Sequence, residues 1–434
     1  MSSASAEAAC AAAERAFAQT RVMPAWQRED ILRKMASLLK ERSEEFARLI
    51  TSESGKAIRD SRGEVNRAIG TLLVAAEEAK RVPTGMLPLD WTKGNEARAA
   101  IIRRVPIGPV PGITPFNFPV NLVMHKLAPA IASGNPIVIK PSPATPRCAI
   151  EIGKLAVEAG WPEDAVSVVP CSNEVAALLV ADPRLKQLSF TGSDKVGWQL
   201  KAASGKKHVT LELGGNAAVV VHSDADLELA AQRIVAGGFA LAGQSCISIQ
   251  RVLVAEDVFD RVLALVLDLT SKLKCGDPES GETDVGPMIN EAAAIRAETW
   301  IRKSGGKVHC GGERSGRFLS PTVVTDVPES SELNCEEVFA PIIVLEPYAD
   351  FEVALWKVND SRFGLQAGVF TNDWTRIARA YEVIEAGAVL INEVPTWRAD
   401  HMPYGGVKDS GIGREGLASA IEAMTEEKLL ILKF

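Results

Sequence analysis

The sequence predicts an α/β protein with two parallel-sheet domains, and three observations support this fold class. The chain has 434 residues, which is more than one hydrophobic core usually fills. Strand-like and helix-like segments alternate from residue 113 to 221, and they alternate again from residue 226 to about 394. Such alternation is typical of βαβ units, whose strands are parallel. We therefore expect a doubly wound first domain and a second α/β domain.

The elements can be placed in order along the chain. Residues 4–80 carry apolar side chains at three- and four-residue spacing, which predicts helices. Residues 81–112 hold several prolines around a β-like run at 99–105, which indicates an excursion from the first domain. Further strands are predicted at 136–140, 166–169, 185–190, 250–254, 307–310 and 342–346.

These elements divide the chain into three parts. We predict that residues 1–83 and 113–213 form the first domain and that residues 214–415 form the second. Residues 84–112 and 416–434 are expected to form a small β segment, with the C-terminal strand at 428–434.

Composition and charge exclude several classes of protein. The formal charge of −7, from 55 acidic and 48 basic residues, gives no field that would hold a nucleic acid. Apolar runs are interrupted before they reach the length of a membrane span, and the N-terminus does not resemble a secretion signal. The seven cysteines form no CxxC pair, so neither disulfides nor a metal site is indicated. We expect a cytoplasmic protein that binds neither nucleic acid nor membrane.

Cys246 is the cysteine in the most reactive-looking position. It ends the polar, glycine-bearing turn 243–246, which follows a helix-like segment at 229–241. A thiol in such a turn can meet a ligand. The alternative is a buried structural cysteine, which is the commoner role of a lone cysteine.

Glu212 lies between Leu211 and Leu213 and directly before a glycine pair. A carboxylate with apolar neighbours risks desolvation, which would raise its pKa toward that of a useful base. The alternative is an exposed acid that caps a turn.

Two further segments carry polar groups at the starts of helices. Asn117 stands just ahead of a helix that Pro119 can open, so its amide is either an oxyanion donor or a helix cap. Gly192 and Ser193 follow a strand and precede a helix, where backbone N–H groups can face a pyrophosphate. Because the GxGxxG pattern is absent, this segment alone does not identify a dinucleotide site.

The four segments, in this order, resemble the aldehyde dehydrogenase superfamily. The resemblance extends from about residue 10 to the end of the chain and includes the motifs at 140–142, 336–341 and 403–415. The segments 104–109 and 400–404 are most similar to the lactaldehyde dehydrogenase-like branch.

The resemblance implies a role for each matching residue. Cys246 would be the nucleophile, Glu212 the general base, and Asn117, with the backbone N–H of Cys246, the oxyanion hole. The first domain would bind NAD or NADP. The implied cofactor contacts are Lys140 at the adenosine ribose, Gly192 and Ser193 at the pyrophosphate, Glu337 at the nicotinamide ribose and Phe339 near the nicotinamide ring. Arg251 and Glu415 would hold the catalytic residues in position without taking part in the reaction.

The resemblance leaves two choices open. A coenzyme A-acylating dehydrogenase and a catalytically silent homologue are the alternatives to oxidation ending in hydrolysis. Glu212 argues against the first, and the retention of Cys246, Glu212 and Asn117 argues against the second. NAD-preferring relatives often carry a glutamate where this chain has Pro143, which leaves room for the 2′-phosphate of NADP.

The substrate and the assembly are also expectations. Asn121 and His125 follow Asn117 at four-residue spacing, so all three would share one helix face and line the approach to the reacting oxygen. Alternatively, Asn121 and His125 satisfy backbone groups or face a loop. Arg398 and His401 could supply further donors, and together these residues indicate a short aldehyde with a hydroxyl or anionic group.

The β excursion pairs with another subunit in relatives, so a homodimer or homotetramer is expected.

Overall fold

Packed helices form the N-terminal part of the computed structural model, which describes residues 2–434. Apolar residues recur every three or four positions, so each helix buries one face. Leu32, Met35 and Leu39 are fully buried, for example. The four helices are α1 (Ser3–Thr20), α2 (Ala25–Glu41), α3 (Ser43–Ser54) and α4 (Ile58–Glu78). No helix within residues 2–434 combines the length and apolar character needed to cross a membrane.

Six strands form the sheet of the first domain. They are β3 (Val110–Ile113), β4 (Ile137–Lys140), β5 (Val166–Val168), β6 (Gln187–Thr191), β7 (His208–Glu212) and β19 (Gly411–Ile412). The order is β19-β7-β6-β3-β4-β5, and all pairs are parallel except β19 with β7. Consecutive strands step outward from β3 on both sides. The order therefore reverses between β3 and β6, which leaves a crevice at their carboxyl ends. The predicted doubly wound domain is confirmed.

Four helices connect the strands of this sheet and cover its two faces. They are α5 (Asn121–Ser133), α6 (Pro146–Ala159), α7 (Asn173–Ala181) and α8 (Asp194–Ala203). All thirteen residues of α5 are buried, because α4 and the C-terminal helix pack on it. This helix consequently forms the centre of the first domain.

A seven-stranded sheet forms the second domain, as predicted. Its strands are β8 (Ala217–Val221), β9 (Ile249–Ala255), β10 (Lys307–Cys310), β13 (Thr322–Thr325), β14 (Ile342–Tyr348), β16 (Gln366–Phe370) and β17 (Ala388–Ile391). The order is β10-β13-β14-β9-β8-β16-β17, with β10 alone antiparallel to its neighbour. The helices are α9 (Leu227–Phe239), α10 (Phe259–Ser271), α11 (Glu291–Lys303), α12 (Glu332–Cys335), α13 (Phe351–Asn359) and α14 (Trp374–Val383).

The remaining strands form small antiparallel sheets. Two short pairs are β11 (Arg314–Ser315) with β12 (Phe318–Leu319), and β15 (Phe363–Gly364) with β18 (Val407–Lys408). A three-stranded sheet contains β1 (Thr84–Pro88), β2 (Arg98–Pro106) and β20 (Thr425–Lys433), with β2 in the middle. Leu429, Leu430 and Ile431 of its edge strand are each more than half exposed.

Three stretches lie outside the parts predicted for them. β3 begins at Val110 and belongs to the first sheet, although residues up to 112 were placed in the excursion. β19 completes the first sheet, although it was placed in the second domain. The helix α15 (Leu417–Ala423) was placed in the β segment, but its apolar face, including Leu417 and Ile421, packs into the core of the first domain.

Candidate active site

A cavity of about 820 Å³ opens between the two domains at the carboxyl ends of the first sheet. Its wall combines residues from α4, from the segment after β3, from the ends of β6 and β7, and from the second domain. Cys246, Glu212 and Asn117 all line it. The fold thus brings together the three side chains whose chemistry the sequence singled out.

Cys246 follows a strained turn. α9 ends at Phe239, and in the 3₁₀ turn after it Leu241 and Ala242 both have a φ of 53°. Residues with a side chain adopt this left-handed conformation only where the surroundings enforce it. The turn is tightly enclosed, because a Cβ added to Gly243 would lie 2.0 Å from the carbonyl oxygen of Ala340. The thiol is therefore held in place by backbone that has little room to move.

The environment of the Cys246 thiol is mixed. Burial raises its pKa to about 12, and the carboxyl groups of Glu337 and Glu212 act in the same direction. The hydroxyl of Tyr404, whose Oη lies 3.3 Å from Sγ, and the guanidinium of Arg398 favour the thiolate. Tyr404 and Arg398 are thus the two groups beside this thiol that favour its ionised form.

Asn117 is a buried amide directed at the cysteine loop. Its Nδ2 donates to the carbonyl oxygen of Gln244 at 2.9 Å, which leaves the second hydrogen of the amide for a ligand. It does not cap α5. Oε1 of Glu64 instead accepts the N–H groups of Val120 and Asn121, at 2.8 and 3.0 Å.

Glu212 ends β7 and is almost fully buried. Neither of its carboxyl oxygens has a hydrogen-bond partner within residues 2–434. Burial raises its pKa well above the usual range, and the nearby carboxylate of Glu415 adds to the shift. A Cβ on Gly405 would lie 2.8 Å from Oε1, so the glycine is what leaves room for this side chain.

Glu415 is ionised by contrast. Burial alone would raise its pKa, but Lys126, His125 and Arg398 outweigh burial and lower the pKa to about 2. Nζ of Lys126 lies 2.9 Å from Oε1 of Glu415. The pKa values of these two neighbouring carboxyl groups are thus shifted in opposite directions, because Glu415 has a cationic partner in contact and Glu212 has none.

The predicted cofactor residues lie around the crevice. Gly192, Ser193, Glu337 and Phe339 line the cavity. Lys140 ends β4 at the same edge of the sheet but does not line the cavity, and its Nζ lies 3.5 Å from Oδ1 of Asn173. These positions agree with a dinucleotide that extends along the carboxyl edge of the sheet.

The crevice has features that suit such a ligand. Ser193 precedes α8 without a side-chain cap hydrogen bond, so the first N–H groups of the helix face outward for an anion. A Cβ on Gly192 would lie 2.6 Å from the ring of Phe190, so no larger residue fits there. The half-buried Glu337 accepts the N–H of Gly215 at 3.0 Å through its carboxyl group, and desolvation raises its pKa to about 7.

The predicted substrate residues separate into two groups. Arg398 and Asn121 line the cavity. His125 does not, because it lies deeper along α5, where it is fully buried and its Nε2 is 2.9 Å from Oδ1 of Asp400. His401 is exposed and is not part of the wall. The interpretation of Asn121 and His125 as a shared substrate face is therefore wrong for His125.

Arg67 and Asp400 are two polar residues of this region that the sequence did not reveal. Nη2 and Nε of Arg67 donate to the two carboxylate oxygens of Asp400 at 2.7 and 3.1 Å. Arg67 lines the cavity from α4. The signal that could have found it is helical spacing, since Asp60, Gly63 and Glu64 precede it on the same face and also line the cavity.

The sheet order and the cavity at its switch point are those of a dinucleotide-binding α/β fold. The comparison with family models gives the particular family. The chain belongs to the aldehyde dehydrogenase family, whose model matches residues 1–430. The predicted family is confirmed, and with it an enzyme of the NAD(P)-dependent aldehyde-oxidising kind.

Individual proteins show the same likeness over nearly the whole chain. The 3-sulfolactaldehyde dehydrogenase of Priestia aryabhattai is 44% identical over 411 residues, which are 94% of this chain and 86% of the relative. Aldehyde dehydrogenase 21 of Physcomitrella patens, solved with the product succinate, has a TM-score of 0.96 at 44% identity and covers 98% and 89% of the two chains. Glyceraldehyde-3-phosphate dehydrogenase of Methanocaldococcus jannaschii, solved with NADP, has a TM-score of 0.96 at 36% identity and covers 100% and 95%.

Proposed function

We propose that the chain oxidises a short anionic aldehyde to the corresponding carboxylate, with NAD or NADP as the oxidant and a thioester on Cys246 as the intermediate. The observation that carries this proposal is that Arg67 and Arg398 lie in the wall of the same cavity as Cys246. A guanidinium presents a planar fork of donors that matches the oxygens of a carboxylate, sulfonate or phosphate. The aldehyde carbon would reach Cys246 while its anionic end meets the arginines.

The charge balance at this wall also favours an anion. Asp400 pairs with Arg67, and its Oδ1 lies 3.9 Å from Nε of Arg398. Glu415 pairs with Lys126 at 2.9 Å and lies 3.7 Å from Nη2 of Arg398. Three cations therefore face two carboxylates, and one positive charge is left for a ligand. A substrate with a single negative group would balance it.

The three relatives support an anionic substrate over a merely hydroxylated one. Their names specify a sulfonate, a dicarboxylate product and a phosphate. Recognition of a hydroxyl by Asn121 has less support, because its Nδ2 is 3.3 Å from Oδ1 of Asp400 and its Oδ1 accepts a hydrogen bond from Thr71. Sulfolactaldehyde is lactaldehyde with a sulfonate, so the resemblance to lactaldehyde dehydrogenases fits this narrower class.

The reaction begins with attack by Cys246. The thiolate forms a bond to the aldehyde carbon, and the carbonyl oxygen becomes an oxyanion. The second amide hydrogen of Asn117 and the backbone N–H of Cys246 would donate to that oxygen. Losing one such donor typically slows a reaction by a factor of about 100 to 1,000. Bound NAD(P) supplies the hydride acceptor, and loss of hydride from the adduct leaves a thioester on Cys246.

Glu212 would then release the product. Its carboxylate takes a proton from water as the water oxygen bonds to the thioester carbon, and Cys246 departs as the thiolate. Because Glu212 is buried and has a raised pKa, it is a stronger base than an exposed glutamate once it is ionised. This supports hydrolysis over transfer of the acyl group to coenzyme A.

The first domain would hold the cofactor. The uncapped start of α8 suits the pyrophosphate, and Gly192 lies directly before it, where the Phe190 ring leaves no room for a Cβ. Glu337 offers a carboxylate to ribose hydroxyls, and Lys140 would lie toward the adenosine. Pro143 is exposed and carries no negative charge, so both NAD and NADP are expected to bind.

The three-stranded sheet is the expected site of self-association. β20 forms one edge of that sheet, and Leu429, Leu430 and Ile431 are exposed on it. An edge strand with apolar residues favours pairing with another strand. We propose a homodimer or homotetramer, and a monomeric mass in light scattering at micromolar concentration would contradict this.

The substrate proposal is tested by kcat/KM for four aldehydes. Succinate semialdehyde and 3-sulfolactaldehyde are the anionic probes, lactaldehyde is the hydroxylated probe and propanal is the apolar one. We expect both anionic probes to exceed propanal by about a hundredfold or more. In Arg67→Met this ratio should fall by a factor of about 10 to 100, because charge-assisted hydrogen bonds are lost.

Arg62→Met is the matched control for Arg67→Met. Arg62 lies on the same helix but faces outward, where it pairs with Glu44 at 2.9 Å. The Arg62→Met variant should leave kcat/KM unchanged for all four aldehydes. A parent enzyme that prefers lactaldehyde to both anionic probes would contradict the anionic class, and an unaltered ratio in Arg67→Met would exclude this arginine as the anion contact.

A further inference from the structure

Tyr404 occupies a position that the mechanism above does not use. It is buried, with its Oη 3.3 Å from Sγ of Cys246. Cζ of Arg398 lies 3.7 Å from the centre of the Tyr404 ring. The backbone of Tyr404 pairs with that of Glu415 through two N–H···O hydrogen bonds, of 3.0 and 2.6 Å. The hydroxyl end of the ring thus contacts the sulfur of Cys246, and one face of the ring contacts a cation.

We infer that Tyr404 is a further catalytic residue, which donates its hydroxyl hydrogen to the Cys246 thiolate and holds it ready for attack. This inference rests on the proposed role of Cys246 as the nucleophile. While Cys246 is a thiol, either group can donate the hydrogen bond. A thiolate can only accept, so ionisation of Cys246 fixes the direction of the hydrogen bond. A hydrogen bond that strengthens on ionisation stabilises the ionised form.

The charged groups around the thiol show why such a donor is needed. Burial and the carboxyl groups of Glu337 and Glu212 disfavour a negative sulfur. Arg398 is the cation that acts in the opposite direction. Without the Tyr404 hydrogen bond, the thiolate would face two carboxyl groups with this single counter-charge.

Arg398 strengthens the proposed donor as well. A cation over an aromatic face interacts with the electron-rich ring, and it withdraws electron density from it. A phenol under such a cation is a better hydrogen-bond donor. The guanidinium of Arg398 lies over the face of the Tyr404 ring, and the hydroxyl of that ring contacts the sulfur of Cys246. The cation therefore stabilises the thiolate indirectly, by strengthening the hydroxyl as a donor.

The experiment measures the pH dependence of Cys246 alkylation. The enzyme is treated with iodoacetamide from about pH 6 to about pH 10, and the rate is followed by mass spectrometry of the peptide that contains Cys246. We compare the parent with Tyr404→Phe, which keeps the ring under Arg398 and removes the hydroxyl. Because burial places the midpoint above this range, the rate at each pH is compared: it should fall about tenfold, which corresponds to a midpoint about one pH unit higher.

Tyr348→Phe is the matched control. Tyr348 is also buried, but its hydroxyl lies 2.9 Å from Nδ1 of His222. This variant should keep the parent midpoint. An equal shift in both variants, or an unchanged midpoint in Tyr404→Phe, would overturn the inference.

A second measurement has the opposite sign and needs no truncation. The chain contains three tyrosines, so replacing all of them biosynthetically with 3-fluorotyrosine is practical. The fluorinated phenol is more acidic and a stronger donor, so the midpoint of Cys246 alkylation should fall. A rise or no change would contradict the proposed donor. Failure of the proposed function is detected separately. If Cys246→Ser oxidised aldehydes at the parent rate, Cys246 would not be the nucleophile, whereas the alkylation profiles of the parent and of Tyr404→Phe would still report on the hydrogen bond.

Discussion

Replacing Glu212 with glutamine should convert continuous oxidation into a single turnover. Glutamine has nearly the same shape as glutamate, so it fills the same space while removing the proton acceptor. Neither oxygen of Glu212 has a hydrogen-bond partner among residues 2–434, so the substitution breaks no contact that the structure shows. The first half-reaction uses Cys246 and Asn117 and should proceed normally.

The expected magnitude follows from the role of the base. A positioned general base typically contributes a factor of about 100 to 10,000 to a step. Hydrolysis of the thioester should slow by that factor, while one equivalent of reduced cofactor still forms rapidly per active cysteine. In the parent, hydrolysis should accelerate with rising pH through the raised pKa of Glu212, because only the carboxylate accepts a proton. That pH dependence should disappear in the variant.

Rapid-mixing measurements of nicotinamide absorbance separate the burst from the steady rate. Acid quenching followed by mass spectrometry identifies the acyl group on the peptide that contains Cys246. The reasoning would be refuted by steady turnover of Glu212→Gln at the parent rate, since another group would then have to act as the base.

Three further outcomes are expected. Cys246→Ala should abolish aldehyde oxidation but leave NAD(P) binding intact, which fluorescence titration of the cofactor checks. Pro143→Glu should reduce kcat/KM for NADP more than for NAD, because the added carboxylate repels the 2′-phosphate, and equal effects would remove that argument. Glu337→Gln should stabilise the fold relative to the parent near pH 8 but not near pH 4. Burial raises the pKa of Glu337 to about 7, so its protonated form favours folding at low pH, and that stability is lost as pH rises. Denaturant unfolding at both pH values should show a gain of roughly 3 kcal/mol at most.

Local pattern was sufficient to predict several of the strands and the positions of the main chemical groups. The strand predicted at 307–310 was observed at Lys307–Cys310, and the run at 99–105 lies within β2. Cys246 and Glu212 could be proposed because each is identified by its immediate neighbours. Short segments fix backbone geometry, and in an α/β protein the carboxyl ends of strands meet at one edge.

Long-range packing was beyond the reach of such patterns. Helical spacing correctly placed Asn121 and His125 on related positions of α5, but it could not show that Asp400 covers His125. The pairing of Arg67 with Asp400 joins residues separated by 333 positions, and no local signal encodes it. The helix-like segment up to residue 241 ends earlier, at Phe239, because the chain turns through left-handed residues toward Cys246.

The first domain is completed by β19 and α15, which are synthesised after all the strands of the second-domain sheet. β19 supplies the edge strand beside β7, and α15 packs on the central helix α5. The buried pair of Lys126 with Glu415 joins residues 289 positions apart. Until these residues leave the ribosome, the emerging domain exposes an unpaired strand edge, an apolar helix face and an unneutralised lysine. Closing such distant contacts is slow, so we expect nascent chains to be prone to aggregation until β19 and α15 have been synthesised.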